Sequence, residues 1–396
     1  MDITVKYRAG IWILLIMLCL SVTPAFCQTD PSGSQLNERL LEEQLNNSEI
    51  KNIQNAIDKA LNTSGLPDDY RFSAEEMMTN ALKGKPMDNL RGFPKMLFAL
   101  LGKEIKANLV LILEMYCVML LGTVIRALSP MDSGIPGQVA SLSVNGVLII
   151  IAAVSFGSVT QVVLSTIDSM QNIAAFVMPA LFALMAASGR IVSVSAMQPI
   201  MLLGVNTACH VFKTILLPLT IMAGILFLVD SVSERFKLKT LAKLLKSCSV
   251  WVTGAITLAF SIAVSIQKLA SGTVDQVALK TTKFAIGTFI PVAGKYMSDA
   301  ADTILLYTSA ARNAAGVLTI IGLGLIFVTP FIKVFIVMLA LRITAAFGAP
   351  LCDECISDAL EDAAGCLSVI LGIMGASLFV LVLLTGTFMS SSGLMT

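Results

Sequence analysis

Beyond Lys106 the chain is a succession of long apolar runs, interrupted by Pro, Gly and single charges, whereas residues 28–95 mix polar and apolar positions at short period. Runs of 18 or more apolar residues are long enough to cross a hydrocarbon layer about 30 Å thick. Residues 107–128, 142–164, 173–188, 191–209 and 211–229 read as five candidate crossings, followed by 250–266, 316–341 and 366–388. Pro179, Pro199 and Pro218 fall inside three of these, and each removes a backbone donor from a helix. Because lipid cannot bond freed backbone groups, broken helices at membrane depth must face protein or water. The expected fold is therefore an all-α polytopic integral membrane protein with broken or re-entrant helices.

In the polar N-terminal region, Ile50, Ile53, Ile57 and Leu61 recur at helical spacing, which predicts an amphipathic helix; Leu36, Leu40 and Leu41 mark an earlier one. Gly65 and Pro67 end that pattern, and Ser73 with Glu76 has the spacing of a capping box opening a short helix. A segment of this size cannot build a large core, so its apolar faces are expected on the membrane domain or on a partner. Ahead of it, Lys6 and Arg8, an apolar stretch from Ile11 to Val22, and Ala25-Phe26-Cys27 have the layout of a signal peptide, with an uncleaved anchor as the alternative. The chain thus divides into a signal (1–27), an extracytoplasmic helical region (28–95) and a multispanning domain (96–396).

Charge orients this arrangement. The segment from Asp230 to Ser247 carries Arg235, Lys237, Lys239, Lys243 and Lys246, and short basic loops stay in the cytoplasm. Five crossings from an external N-terminal region reach the inner side there. The acidic stretch from Asp353 to Asp362 lacks Lys and Arg and is compatible with the outer side.

Composition removes several function classes. Charged residues make up 13% of the chain and the net charge is +1, which excludes the basic surface of a nucleic-acid binder. No phosphate-cradling Gly-rich loop or zinc-protease motif exists, and His210 is the sole histidine, so neither an enzyme nor a cofactor or metal site is expected. Of eight cysteines, Cys352 and Cys355 have the spacing of a redox or metal pair but lack a second pair, and read as ordinary helix-end residues.

Charges within apolar runs carry more information, since each costs free energy unless it is paired or wet. Glu114 lies near the centre of the first span; it either lines a wet path or pairs with Lys213 or Lys333. Lys213 and Arg342 are placed to snorkel toward an interface. The densest polar constellation runs from Gly287 to Asp302. There Pro291 and Gly294 permit a break, and Lys295, Asp299 and Asp302 follow at spacings that share a helix face. This segment reads either as a re-entrant hairpin or as an interfacial helix. Pro179, Gly204 and Pro218 recur 112 residues later as Pro291, Gly316 and Pro330, the spacing a duplicated transport core would show.

Phe284, Ala285, Ile286, Gly287, Phe289, Ile290, Pro291, Val292 and Gly294 form one motif block. With Ser298, Asp299, Ala300, Asp302 and Thr303, with Arg312, Asn313, Ala314 and Gly316, and with Pro330, Ile332 and Lys333, it resembles the stage III sporulation protein AE family. The resemblance implies a membrane component of the multiprotein complex joining mother cell and forespore, acting as a channel or secretion-like conduit. It implies as partners the other membrane proteins of that complex and a separate ATPase, besides the bilayer, with a homo-oligomer compatible. It implies the mother-cell membrane, with residues 28–95 between the membranes, and it supplies no catalytic residue. A self-contained secondary transporter and a non-conducting scaffold for ring-forming partners are the alternatives the sequence leaves open.

Overall fold

The computed structural model describes residues 48–63, 66, 72–83, 85, 92–128, 134–231, 238–289, 294–349 and 354–389. The proposed signal and Pro291, Cys352, Arg235 and Lys237 lie outside them. Among the described residues all regular structure is helical: α1 Ser48–Thr63, α2 Ala74–Leu82, α3 Phe93–Leu128, α4 Gly134–Ala187, α5 Ile191–Pro199, α6 Asn206–Val211, α7 Leu217–Asp230, α8 Lys239–Phe289, α9 Gly294–Gly348 and α10 Glu354–Met389. Two π-helical turns, Ile200–Val205 and Phe212–Leu216, join α5 to α6 and α6 to α7. Six helical stretches are long and apolar enough to cross a membrane, with α5 to α7 counting as one.

The long helices form an antiparallel bundle whose two ends can be read from side-chain contacts. At one end Ser188, Arg312, Asp275 and the Phe182–Phe388 edge-to-face pair meet. At the other, Lys239 Nζ lies 2.9 Å from Asp358 Oδ2 and 3.6 Å from Asp362 Oδ2, and Ser357 donates to the Ala345 carbonyl at 2.8 Å. The Asp230 carboxylate accepts the Lys239 amide at 2.9 Å, capping α8 where α7 has just ended. Glycines supply the close approaches. A Cβ on Gly224 would stand 2.6 Å from Phe156 Cζ, and one on Gly204 would stand 3.1 Å from the Phe260 ring. Small residues at such crossings let helices pack closely where lipid removes the hydrophobic drive.

Two expected spans, 142–164 and 173–188, are one helix, because the polar run Ser165–Asn172 between them is helical. The next two, 191–209 and 211–229, are likewise one broken crossing. Three helical stretches of spanning length precede the basic segment where five were expected, and both numbers are odd. Lys239 pairs with Asp358, so acidic and basic segments share one end of the bundle, and the assignment of Asp353–Asp362 to the opposite side is overturned. Cysteines at 239 and 358 are therefore expected to react with an impermeant thiol reagent from the same side and to cross-link to each other; labelling from opposite sides would refute this end of the fold.

Pro179 and Pro330 do not break their helices, which continue through them. The 112-residue recurrence is not a structural repeat. Its first copy spans a helix end, a turn and a broken helix, whereas Gly316 and Pro330 lie in a single continuous α9.

The amphipathic helix is present, and Ile50, Ile53 and Ile57 are fully buried. Ile57 packs at Gly322 of α9, where a Cβ would come within 2.9 Å, and α1 also lies along α4. These N-terminal helices belong to the bundle core. The capping box at α2 is not formed: Ser73 makes no side-chain cap bond, and the Asp58 carboxylate of α1 accepts the Ala74 amide at 2.8 Å instead.

Candidate functional site

Near the middle of the bundle, two interruptions that sequence alone keeps apart come together. Ser165–Asn172 would be an unfavourable run inside an apolar helix, but its hydroxyls bond back onto their own turn. Thr166 donates to the Val162 carbonyl at 2.6 Å and Ser169 to the Ser165 carbonyl at 2.8 Å. This back-bonding satisfies the hydroxyls without ending the helix. Asp168 remains, and its carboxylate accepts a hydrogen bond from Lys213 Nζ in an ion pair whose side chains are 43% and 38% exposed respectively. The pair lies roughly 30 Å from the Ser188 layer at 1.5 Å per residue, which is mid-depth for this bundle.

Lys213 sits in the second π-helical turn, just ahead of Pro218, which cannot donate to the Thr214 carbonyl four residues earlier. The first π-helical turn follows Pro199 directly. Widened turns of this kind accommodate a missing donor and recur at functional sites. They also rotate the face that α6 presents. Asn206, Thr207, His210 and Thr214 are exposed along one side of α6 and the turn after it, and Thr214 Oγ1 lies 3.5 Å from His210 Nδ1. The result is a polar stripe at mid-depth, centred on an ion pair and containing the only imidazole of the chain.

The expected site residues are distributed differently from the sequence reading. Lys213 does not pair with Glu114; its partner is Asp168, in the polar run between two of the expected spans. Glu114 is exposed on α3 beside Leu113 and Val110, has no partner among the described residues, and does not meet Lys213 or Lys333. Lys333 is half-buried on α9 and Arg342 is exposed near its end. α8 and α9 run on past Asp275 and Arg312 as an antiparallel two-helix arm tied by a Lys283–Asp302 ion pair, with Asp299 exposed on it. Gly294 and Lys295 open α9 at the tip of that arm. Because Glu114 has no internal partner to lose, Glu114→Leu is expected to leave protein abundance unchanged, within about 0.5 kcal/mol in stability. A drop in membrane abundance by immunoblot would reveal a buried partner that this arrangement lacks.

A second polar cluster closes the far end of the bundle. Gly189, at φ +78°, makes the tight turn from α4 into α5. Both carboxylate oxygens of Asp275, on α8, accept amides at the start of α5, Val192 and Ser193, each at 3.0 Å. They anchor that helix N-terminus, where a negative charge is favourable. Arg190 sits half-buried beside them; burial lowers its pKa and the Asp275 charge partly restores it. Arg312, fully buried on α9, donates from Nη1 to Ser188 Oγ at 2.8 Å. Sequence reading gave Arg312 no separate role; a single cation in a small-residue stretch was the available signal.

Six helical stretches long and apolar enough to span, one of them broken by two π-helical turns, define a polytopic α-helical membrane protein. The family profile described as stage III sporulation protein AE matches residues 72–393. The chain is also 29% identical over 291 residues to the stage III sporulation protein AE of Bacillus subtilis (strain 168), an alignment covering 72% of this chain and 71% of that protein. No solved structure matches. This chain belongs to the stage III sporulation protein AE family and is a sporulation membrane protein.

Proposed function

We propose that the chain is a non-enzymatic membrane component of a sporulation-specific conduit linking mother cell and forespore, residing in the mother-cell membrane with its N-terminal helices between the two membranes. The observation that carries this reading is the Asp168–Lys213 pair, which stands at mid-depth with both side chains partly exposed outside the packed core. An ionisable pair held there is costly against lipid and favourable against water or another polar chain. The bundle interior itself is filled by fully buried side chains such as Phe156, Phe212, Phe227 and Phe388. A conduit is therefore better supported between this chain and its neighbours than through it. Glu114, exposed on the apolar face of α3, likewise favours a neighbouring chain over lipid. Other membrane proteins of the complex, further copies of this chain and a separate ATPase are the proposed partners.

Co-reconstitution with the membrane partners in liposomes tests the reading through solute flux. Flux that requires the partners and falls in the Lys213→Met variant supports it. Flux from the chain alone would favour a self-contained transporter, and assembly without flux a scaffold.

A further inference from the structure

Arg312 carries the least compensated charge in the described bundle. Its guanidinium is fully buried, and of its three nitrogens only Nη1 has a partner, the Ser188 hydroxyl. Nε and Nη2 are buried without an acceptor among the described residues. Those two nitrogens share one edge of the planar guanidinium, the edge whose parallel N–H groups match the two oxygens of an oxyanion. Among the described residues of the cluster no carboxylate is free to take that edge. Asp275, itself only 2% exposed, already points both oxygens at the α5 amides, while Arg190 stands in the turn between Ser188 and those amides. Among the described residues, two guanidiniums share this end with one carboxylate, which leaves one positive charge in excess. A single monoanionic group with two free oxygens would close both the charge count and the hydrogen-bond count.

Position favours phosphate as that group. α10 has 36 residues and ends beside Arg312's neighbour Gly316, where a Cβ would touch Met389. Its length is about 54 Å at 1.5 Å per residue, against about 30 Å of hydrocarbon. The apolar part of α10 runs from Ala363 to Met389 and ends at this layer, which sets the Arg312 layer at the hydrocarbon boundary, beside the headgroups. Arg190, half-buried in the turn that carries Ser188, is the more accessible of the two guanidiniums. We infer that Arg312 and Arg190 form a phosphate-binding site at the Ser188 end of the bundle, taking the phosphodiester of a membrane lipid or a free phosphate.

The test uses the full chain purified in a sugar-based detergent and compares added phosphatidylglycerol, inorganic phosphate, acetate and a phosphate-free diacylglycolipid. Retained ligand is read by native mass spectrometry and the unfolding midpoint by thermal scan. Wild type is expected to retain phosphatidylglycerol or phosphate with a raised midpoint, and Arg312→Gln to bind about tenfold more weakly, as loss of a charge-assisted bidentate contact implies. Arg312→Lys, which keeps the charge but not the fork, and Arg190→Gln, at a half-buried position, are expected to fall between them. Phosphatidylglycerol acting without inorganic phosphate assigns the lipid as source, and the reverse assigns the free ion. Equal effects of the glycolipid, or of acetate in place of phosphate, would overturn the proposal, as would variants that match wild type in every arm.

Discussion

Lys213→Met is expected to destabilise the protein by about 2.5–3.5 kcal/mol, the cost of one uncompensated charge at the centre of a span. The change leaves the Asp168 carboxylate facing α6 and the second π-helical turn with no cation. A loss of this size lowers steady-state abundance several-fold, which reads out as reduced spore yield in the native host. Exchanging the charges, Asp168→Lys with Lys213→Asp, is expected to restore much of the stability, because the pair lies between two helices and either polarity neutralises it. The check is the unfolding midpoint in nanodiscs, together with immunoblot abundance. A cost below about 1 kcal/mol is the value of an exposed surface pair and would remove the mid-depth placement from the argument.

The second large effect comes from packing. Gly224→Leu is expected to cost at least about 1–3 kcal/mol, the usual penalty for forcing extra methylenes into a filled core. The first added carbon already lies 2.6 Å from Phe156 Cζ, and Phe156 is 1% exposed, so its ring has nowhere to swing. Gly254→Ala supplies the contrast: nothing lies within 4 Å of a Cβ there, and Ala in a helix interior gains roughly 0.5–1 kcal/mol over Gly. Shortening the ring, as in Gly224→Ala with Phe156→Leu, is expected to recover part of the loss. If Gly224→Leu and Gly254→Ala behave alike in a thermal scan, α4 and α7 do not cross at this point.

The positions of the prolines show why breaks were hard to place from sequence. Pro179 and Pro330 sit inside continuous helices, while the widened turns lie next to Pro199 and Pro218. A missing donor is the same in all four, so the proline alone does not decide whether the helix widens. The arm carrying Lys283, Asp299 and Asp302 teaches a related point. Its spacing was legible as one helix face, but whether that face re-enters or projects depends on how far α8 extends beyond Asp275.

Sequence by itself determined the membrane class, the helical fold and the Ile50–Ile53–Ile57 stripe. These follow from periodicity and composition, which act along the chain and need no partner. Tertiary structure alone decided that Ser165–Asn172 is helix, that Lys213 finds Asp168 45 residues away, that Asp358 shares an end with Lys239, and that Arg312 is fully buried beneath the Ser188 turn. The physical reason is common to them. A polar residue in an apolar run is stable only if something satisfies it, and that something comes from another helix whose register the local sequence does not encode.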